Sequence, residues 1–235
     1  MSVQIVLSNG TKKSLNGLYV GDAAGNFRLR LYGIFGILGM DLCSRSGQIT
    51  GYMPTRNFAF QNSTNDVEVS NCLELILLGR IGQARELFFP RAWDREADGR
   101  RVSEASPNLL KVDVLAPRSI VPLRQVWVDP EQGVVTAQDM FNFKGEAIGN
   151  IHYSKFVPQS SIETQKGSSD GPDDTQPIPT SIHVVTSKIS FHFTLESITL
   201  NQVIDSDAFH LTLPDHIQLT PLDKLASDGA GLFSK

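Results

Sequence analysis

The sequence predicts a mainly β (α+β) protein, a curved antiparallel sheet covered by helix. Three observations carry that expectation. About ten short segments alternate apolar and polar residues, the period-two mark of half-buried strands. Turn-forming clusters separate them at short intervals, so neighbours join locally and a parallel βαβ layout is disfavoured. A single long segment, 67–89, carries a helical apolar stripe, and a sheet with one apolar face needs such a cover.

Taken in order, Val3–Leu7 is a strand that ends in Asn9-Gly10, a hairpin-type turn signal. In 26–31, Phe27, Leu29 and Leu31 fall on one face and Arg28 and Arg30 on the other. Met40–Cys43 and Gln48–Met53 flank Ser46-Gly47 as a second hairpin. The helix is expected over Val67–Phe89, with Asn65 as cap and Glu68 closing a capping box. Leu73, Leu77, Ile81, Ala84 and Phe88 form its stripe, and Pro90 ends it. Residues 91–109 are polar and charged, and predict a loop. Lys111–Leu115 is a short strand. Leu123–Val128 and 134–143 flank Asp129-Pro-Glu-Gln-Gly133 as a third hairpin. Lys144-Gly145-Glu146 turns into Ile148–Phe156. Residues 158–179 are rich in Ser, Asp, Gly and Pro and predict a mobile loop. Ser181–Val185 and Lys188–Leu200 are strands, with Val185, Ile189, Phe191, Phe193 and Leu195 expected on one face. Phe209–Pro214 alternates again.

A chain of 235 residues suits a single all-β domain spanning 1–235, with a radius of gyration of about 17–18 Å. The net charge of −4 and the scattered Arg and Lys give no nucleic-acid footprint. No stretch approaches the ~20 apolar residues of a membrane-spanning helix. Cys43 and Cys72 read as two separate buried thiols, while an oxidising compartment would favour a bridge between them. Met1–Gly10 lacks the charged region, long apolar run and cleavage site of a leader.

The search for chemistry is mostly negative. GxSxG and GxxxxGK[ST] are absent, and Gly79-Arg-Ile-Gly82 lies inside the helical pattern instead of following a strand. Of His152, His183, His192, His210 and His216, no two stand at i,i+2 or i,i+4, so they read as surface or rim histidines, and no metal or other cofactor is expected. Gly33-Ile-Phe-Gly-Ile-Leu-Gly39 places a glycine at every third position among large apolar residues. That spacing spoils a regular strand and predicts a bulged, sharply bent core strand. The alternative is a flexible apolar loop whose Ile34, Phe35, Ile37 and Leu38 touch lipid. The strands also carry Phe27, Trp127, Phe141, Phe143, Phe191 and Phe193. These read as core, or as part of an apolar ligand cavity, with Trp127, Phe141, Phe191, Phe193 and Leu77 of the helix as the candidate lining.

Several of these segments resemble one known family. Phe27-Arg-Leu-Arg-Leu-Tyr-Gly-Ile-Phe-Gly36, Asp41-Leu42 and Gly47-Gln-Ile-Thr-Gly-Tyr-Met-Pro54 are similar to the first hairpins of bacterial LolA/LolB-like lipoprotein-localisation proteins. Pro122-Leu-Arg-Gln-Val-Trp-Val-Asp-Pro-Glu-Gln-Gly133 resembles a later hairpin of that family, and Pro179–Ile182, Phe191–Asn201 and Phe209–Pro214 resemble its ending. The likeness covers about 18–222, and its motifs are mostly structural. It implies an incomplete antiparallel barrel with helix plugging an apolar cavity. It also implies a non-catalytic protein of the periplasm or outer membrane that binds lipid or lipoprotein acyl chains. No Cys lies near the N-terminus of this sequence, so the resemblance implies that a leader and a lipidated Cys have been removed. The family's carrier branch has a basic residue followed by Pro, whereas Arg30 is followed by Leu31, so that role is not carried over. Two other readings remain: an envelope assembly protein that binds a protein partner through 91–109 and 158–179, or a small-molecule enzyme on the same fold, for which no convergent acid–base set is seen.

Overall fold

A computed structural model describes residues 1–7, 9–22, 24, 26–46, 48–63, 100–106, 108–115, 122–142, 144–164, 177–186, 189–200 and 202–221. In chain order the strands are β1 (Ser2–Leu7), β2 (Lys12–Gly21), β3 (Phe27–Tyr32), β4 (Leu38–Arg45), β5 (Gln48–Met53), β6 (Phe58–Ser63), β7 (Arg100–Ser106) and β8 (Leu109–Leu115). They continue with β9 (Pro122–Asp129), β10 (Val134–Phe141), β11 (Ala147–Val157), β12 (Glu163–Thr164), β13 (Ile178–Thr186), β14 (Ile189–Thr194), β15 (Thr199–Leu200) and β16 (Leu219–Pro221). Packing divides the chain into two compact units, the first built chiefly from Met1–Lys13 and Phe88–Val203, the second from Ser14–Glu68 and Ile204–Lys235.

In the first unit the strand order is β7-β8-β9-β10-β11-β13-β14-β1, every neighbouring pair antiparallel, with β7 last among the described strands. Local chemistry sets its turns. Asp129 Oδ1 accepts from the backbone N–H groups of Glu131 and Gln132 at 2.9 and 3.0 Å, and Gly133 closes the turn at φ +66°. Asn142 Oδ1 does the same for Lys144 and Glu146, with Gly145 at φ +80°. Alternation then sorts the faces. One cross-strand row runs Val112, Val126, Gln138, Ile151, Val184, Phe191, Ile5, all buried and all apolar except Gln138.

In the second unit the order is β2-β3-β4-β5-β6-β16, antiparallel except that β16 runs parallel to β6. The expected alternation of β3 holds: Phe27, Leu29 and Leu31 are buried. Leu29, Leu42, Gly51 and Phe60 form one row, and the Phe60 ring lies over Gly51 where a Cβ would stand. The other face of β4 is buried as well, because the 3-10 turn Ser206–Phe209 packs against it.

Several expectations need correction. Arg100–Ser106, expected within a loop, is strand β7; its charges mask the alternation, and a charged strand suits the end of a sheet. The strand expected over 188–200 stops at Thr194, where Leu195 N–H donates to Thr180 O at 2.8 Å, and resumes only as the two-residue β15. Val185 pairs with Ser190, so the apolar face is completed by Ile182 and Val184 instead. Phe209–Pro214 is no strand, since its first carbonyls are occupied by side chains of β3 and β4. The antiparallel pattern has two exceptions: β16 runs parallel to β6, and β12 pairs in parallel with β15 as a separate two-stranded sheet. Within 158–179, Gln159–Ser161 is a 3-10 turn, and Ile162 and Ile178 are buried; 165–176 lies outside the described residues. So does the helix expected over 67–89, with Leu77 and Cys72. Among the described residues the helical segments are 3-10 turns.

Candidate functional site

The inner face of the first unit holds two of the aromatic candidates. Phe191 and Phe193 are 4% and 3% exposed, and their rings stack with centroids 6.0 Å apart. Register places Ile5 and Val184 beside Phe191, and Val3 and Ile182 beside Phe193. A polar chain crosses this apolar surface. Gln138, 1% exposed, donates from Nε2 to Tyr153 Oη at 2.9 Å and accepts from Arg124 Nη1 at 3.4 Å. A buried amide must be satisfied in this way or cost several kcal/mol.

Trp127, expected beside these phenylalanines, lies on the opposite face. It pairs with Ala137, whereas its neighbour Val126 pairs with Gln138 on the inner face. Its indole N–H donates to Asp139 Oδ2 at 2.7 Å. Phe141 is half-buried at the end of β10, beyond a bulge between Met140 and Phe141.

On that outer face register builds a second row: Lys111, Trp127, Ala137, His152, His183, His192, Gln4. Three of the chain's five histidines thus stand side by side on β11, β13 and β14. All three are exposed. Partial desolvation, then His192, then His152, push the His183 imidazole below its ordinary range. The His192 ring reaches Ser181 Oγ through Nε2 at 3.1 Å. Among the described residues no three of His, Cys, Asp and Glu gather as a metal centre would require.

In the second unit the glycine-spaced segment 33–39 is not the bent core strand that its spacing predicts. Ile34–Gly36 forms a 3-10 turn, and Leu38 begins β4. Ile34 is 75% exposed, Phe35 96% and Ile37 57%, while Leu38 is half-buried. The backbone closes on itself: Gly33 N–H donates to Ile37 O at 2.8 Å, Gly36 N–H to Gly33 O at 3.3 Å and Ile37 N–H to Ile34 O at 3.4 Å. Phe35 sits in the left-handed region at φ +61°, which costs a bulky L-residue about 1–2 kcal/mol. From Leu31 to Met40 the sequence has no charged residue.

Behind that tip, on the face opposite the core, Arg28 holds Asp41 with two hydrogen bonds, Nε to Oδ1 at 2.8 Å and Nη2 to Oδ2 at 2.7 Å. Arg30 Nε reaches Asp41 Oδ2 at 3.2 Å. Arg28 Nη1 also donates to Ala208 O and His210 O, and Cys43 Sγ donates to Phe209 O at 2.7 Å. The hydrogen bond to Asp41 raises the Arg28 pKa further, and burial raises that of the Cys43 thiol. Arg28 thus divides its donors between Asp41 and the carbonyls of the turn, which gives the pair a structural role. Cys43 is a buried free thiol.

An open, mostly antiparallel β architecture of this kind is the LolA-like fold, and the chain has it. It is similar to a LolA superfamily protein of Nitrosomonas europaea (TM-score 0.52, 10% identity, 89% of this chain and 87% of that one). It is likewise similar to a putative outer membrane lipoprotein-sorting protein domain of Vibrio parahaemolyticus (TM-score 0.51, 8% identity, 89% and 87%). A DUF1329 family protein of Desulfovibrio piger aligns over the same shares with TM-score 0.55 and 10% identity. No family model matches the sequence, and neither does any curated protein.

Proposed function

We propose that this protein is a non-catalytic component of the bacterial envelope, in the periplasm or at the outer membrane, that handles lipid or lipoprotein acyl chains. The observation that carries the reading is the 33–37 tip. It holds Phe35 in a strained conformation that buries nothing of its own fold, and strain of that sort is retained where it serves function. The backbone N–H groups of Gly33, Gly36 and Ile37 bond within the turn, which lowers the cost of its leaving water. Burying Ile34, Phe35 and Ile37 in acyl chains gains about 5 kcal/mol, enough for transient contact and too little for a fixed anchor. The LolA-like fold supports the same reading, and the inner face around Phe191 and Phe193 is the surface we assign to the acyl chain.

Flotation with anionic vesicles tests it. The wild-type chain should co-float. Phe35→Asp should stay in the lower fraction with a melting temperature no lower than the wild type's, because the side chain supports no packing and Asp tolerates the left-handed backbone better. Equal flotation of the two proteins, or no flotation of the wild type, would overturn the proposal.

A further inference from the structure

We propose that the neighbouring imidazoles of His183 and His192 form an open, two-ligand site for a divalent transition ion of the zinc, nickel or copper class. The two residues are directly opposed in the antiparallel β13–β14 pair, and their ring centroids lie 5.8 Å apart at a tilt of 34°. Metal–nitrogen bonds of about 2.0–2.1 Å on two imidazoles, at angles from tetrahedral upward, place ring centres roughly 5–6 Å apart. The centroid separation of the pair falls within that range.

The surroundings suit that chemistry. Ser181 is buried on β13, and its Oγ lies 3.1 Å from His192 Nε2. With the proton on Nε2, His192 donates to this hydroxyl and keeps the Nδ1 lone pair for the ion. A ligating imidazole is commonly oriented through its other nitrogen in this way. On their own strands the two histidines are flanked on the same face by Ser181, Val185, Ser190 and Thr194, none of them charged, so no fixed cation repels the ion. His152, opposite His183 on β11, is the next imidazole in the row. Exposure leaves the remaining coordination positions to water, and imidazole ligands favour zinc, nickel and copper over calcium or magnesium. The site is independent of the acyl-chain reading: it lies on the outer face of the sheet, opposite Phe191 and Phe193.

Calorimetric titration of the full chain with zinc or nickel chloride at about pH 7.5, where imidazole is neutral, tests the proposal. One equivalent should bind with micromolar affinity. His183→Gln and His192→Gln should each weaken binding by about tenfold or more, because each leaves a single imidazole, while His210→Gln should leave it unchanged. Binding should fade towards about pH 5.5 as protons compete for the ligands. Absence of binding, affinity that survives both substitutions, or an equal loss in His210→Gln would overturn it. All three side chains are exposed, so the variants should melt with the wild type.

Discussion

Removing the Arg28 guanidinium is the most informative single perturbation of the second unit. In Arg28→Ala the carboxylate of Asp41, whose side chain is 5% exposed, loses both hydrogen bonds to Arg28. The carbonyls of Ala208 and His210 lose their donor at the same time. Breaking a buried pair by deleting one partner costs about 3–5 kcal/mol. Here Arg30 remains 3.2 Å from Asp41 and compensates part of the charge, which places the expected loss near the lower end, about 3 kcal/mol. Arg28→Lys keeps the charge without the planar fork and should lose about half as much. Urea unfolding gives the magnitude, and hydrogen exchange gives the location. The amides of Ala208 and His210, which bond to Asp205 O and Asp207 O, should lose protection first. A stability change below about 0.5 kcal/mol with protection intact at those amides would refute the view that Arg28 ties the turn to the sheet.

Other outcomes follow from the same packing. Gly51→Ala should lower stability by about 1–3 kcal/mol in thermal melts, because the new methyl collides with the Phe60 ring and that ring is wholly buried; an unchanged melt would show that the ring has room to move. Phe193→Leu separates a packed face from an open one: a packed stack loses roughly 1 kcal/mol or more with acyl-probe displacement unaffected, and an acyl-lined face loses probe binding with stability retained. The His183 imidazole is held below its ordinary range, so between neutral pH and about 5 the unfolded chain binds a proton that the folded chain resists. Stability should therefore fall on acidification through that window, and fall less in His183→Gln; parallel pH–stability curves for the two proteins would contradict this.

Much of the sheet was legible because period-two alternation and turn chemistry act locally. Phe27, Leu29 and Leu31, the Asp129–Gly133 turn and the Asn9-Gly10 turn lie where the residues predict them. What escaped depends on register. The spacing of His152, His183 and His192 along the chain gives no ligand pattern, and only the pairing of β11, β13 and β14 sets them side by side. The face on which Trp127 stands escapes for a related reason. Its own strand fixes its parity, but the face that parity points to follows from the β9–β10 pairing, where the register shifts between Val135 and Ala137. The tip was half legible: the glycines of 33–39 signalled an irregular segment, and whether its apolar residues turn inward is decided by tertiary packing. Phe209–Pro214 alternates like a strand, yet Arg28 and Cys43, more than 160 residues away, claim the carbonyls at its start.

The parallel contact between β16 and β6 has a practical side. Only Leu219, Thr220 and Pro221 lie along Ala59, Phe60 and Gln61. Those three residues occupy backbone groups that an edge strand would otherwise offer to any passing chain. Proline carries no N–H, which makes Pro221 a poor start for further pairing. The strap thus works as a selvedge, a finished border that keeps the weave from taking on foreign threads. Truncation ahead of Leu219 should leave the fold of β2–β6 intact and yet turn a monodisperse preparation into one that self-associates, a warning for anyone trimming this chain for crystallisation or fusing a partner near its end.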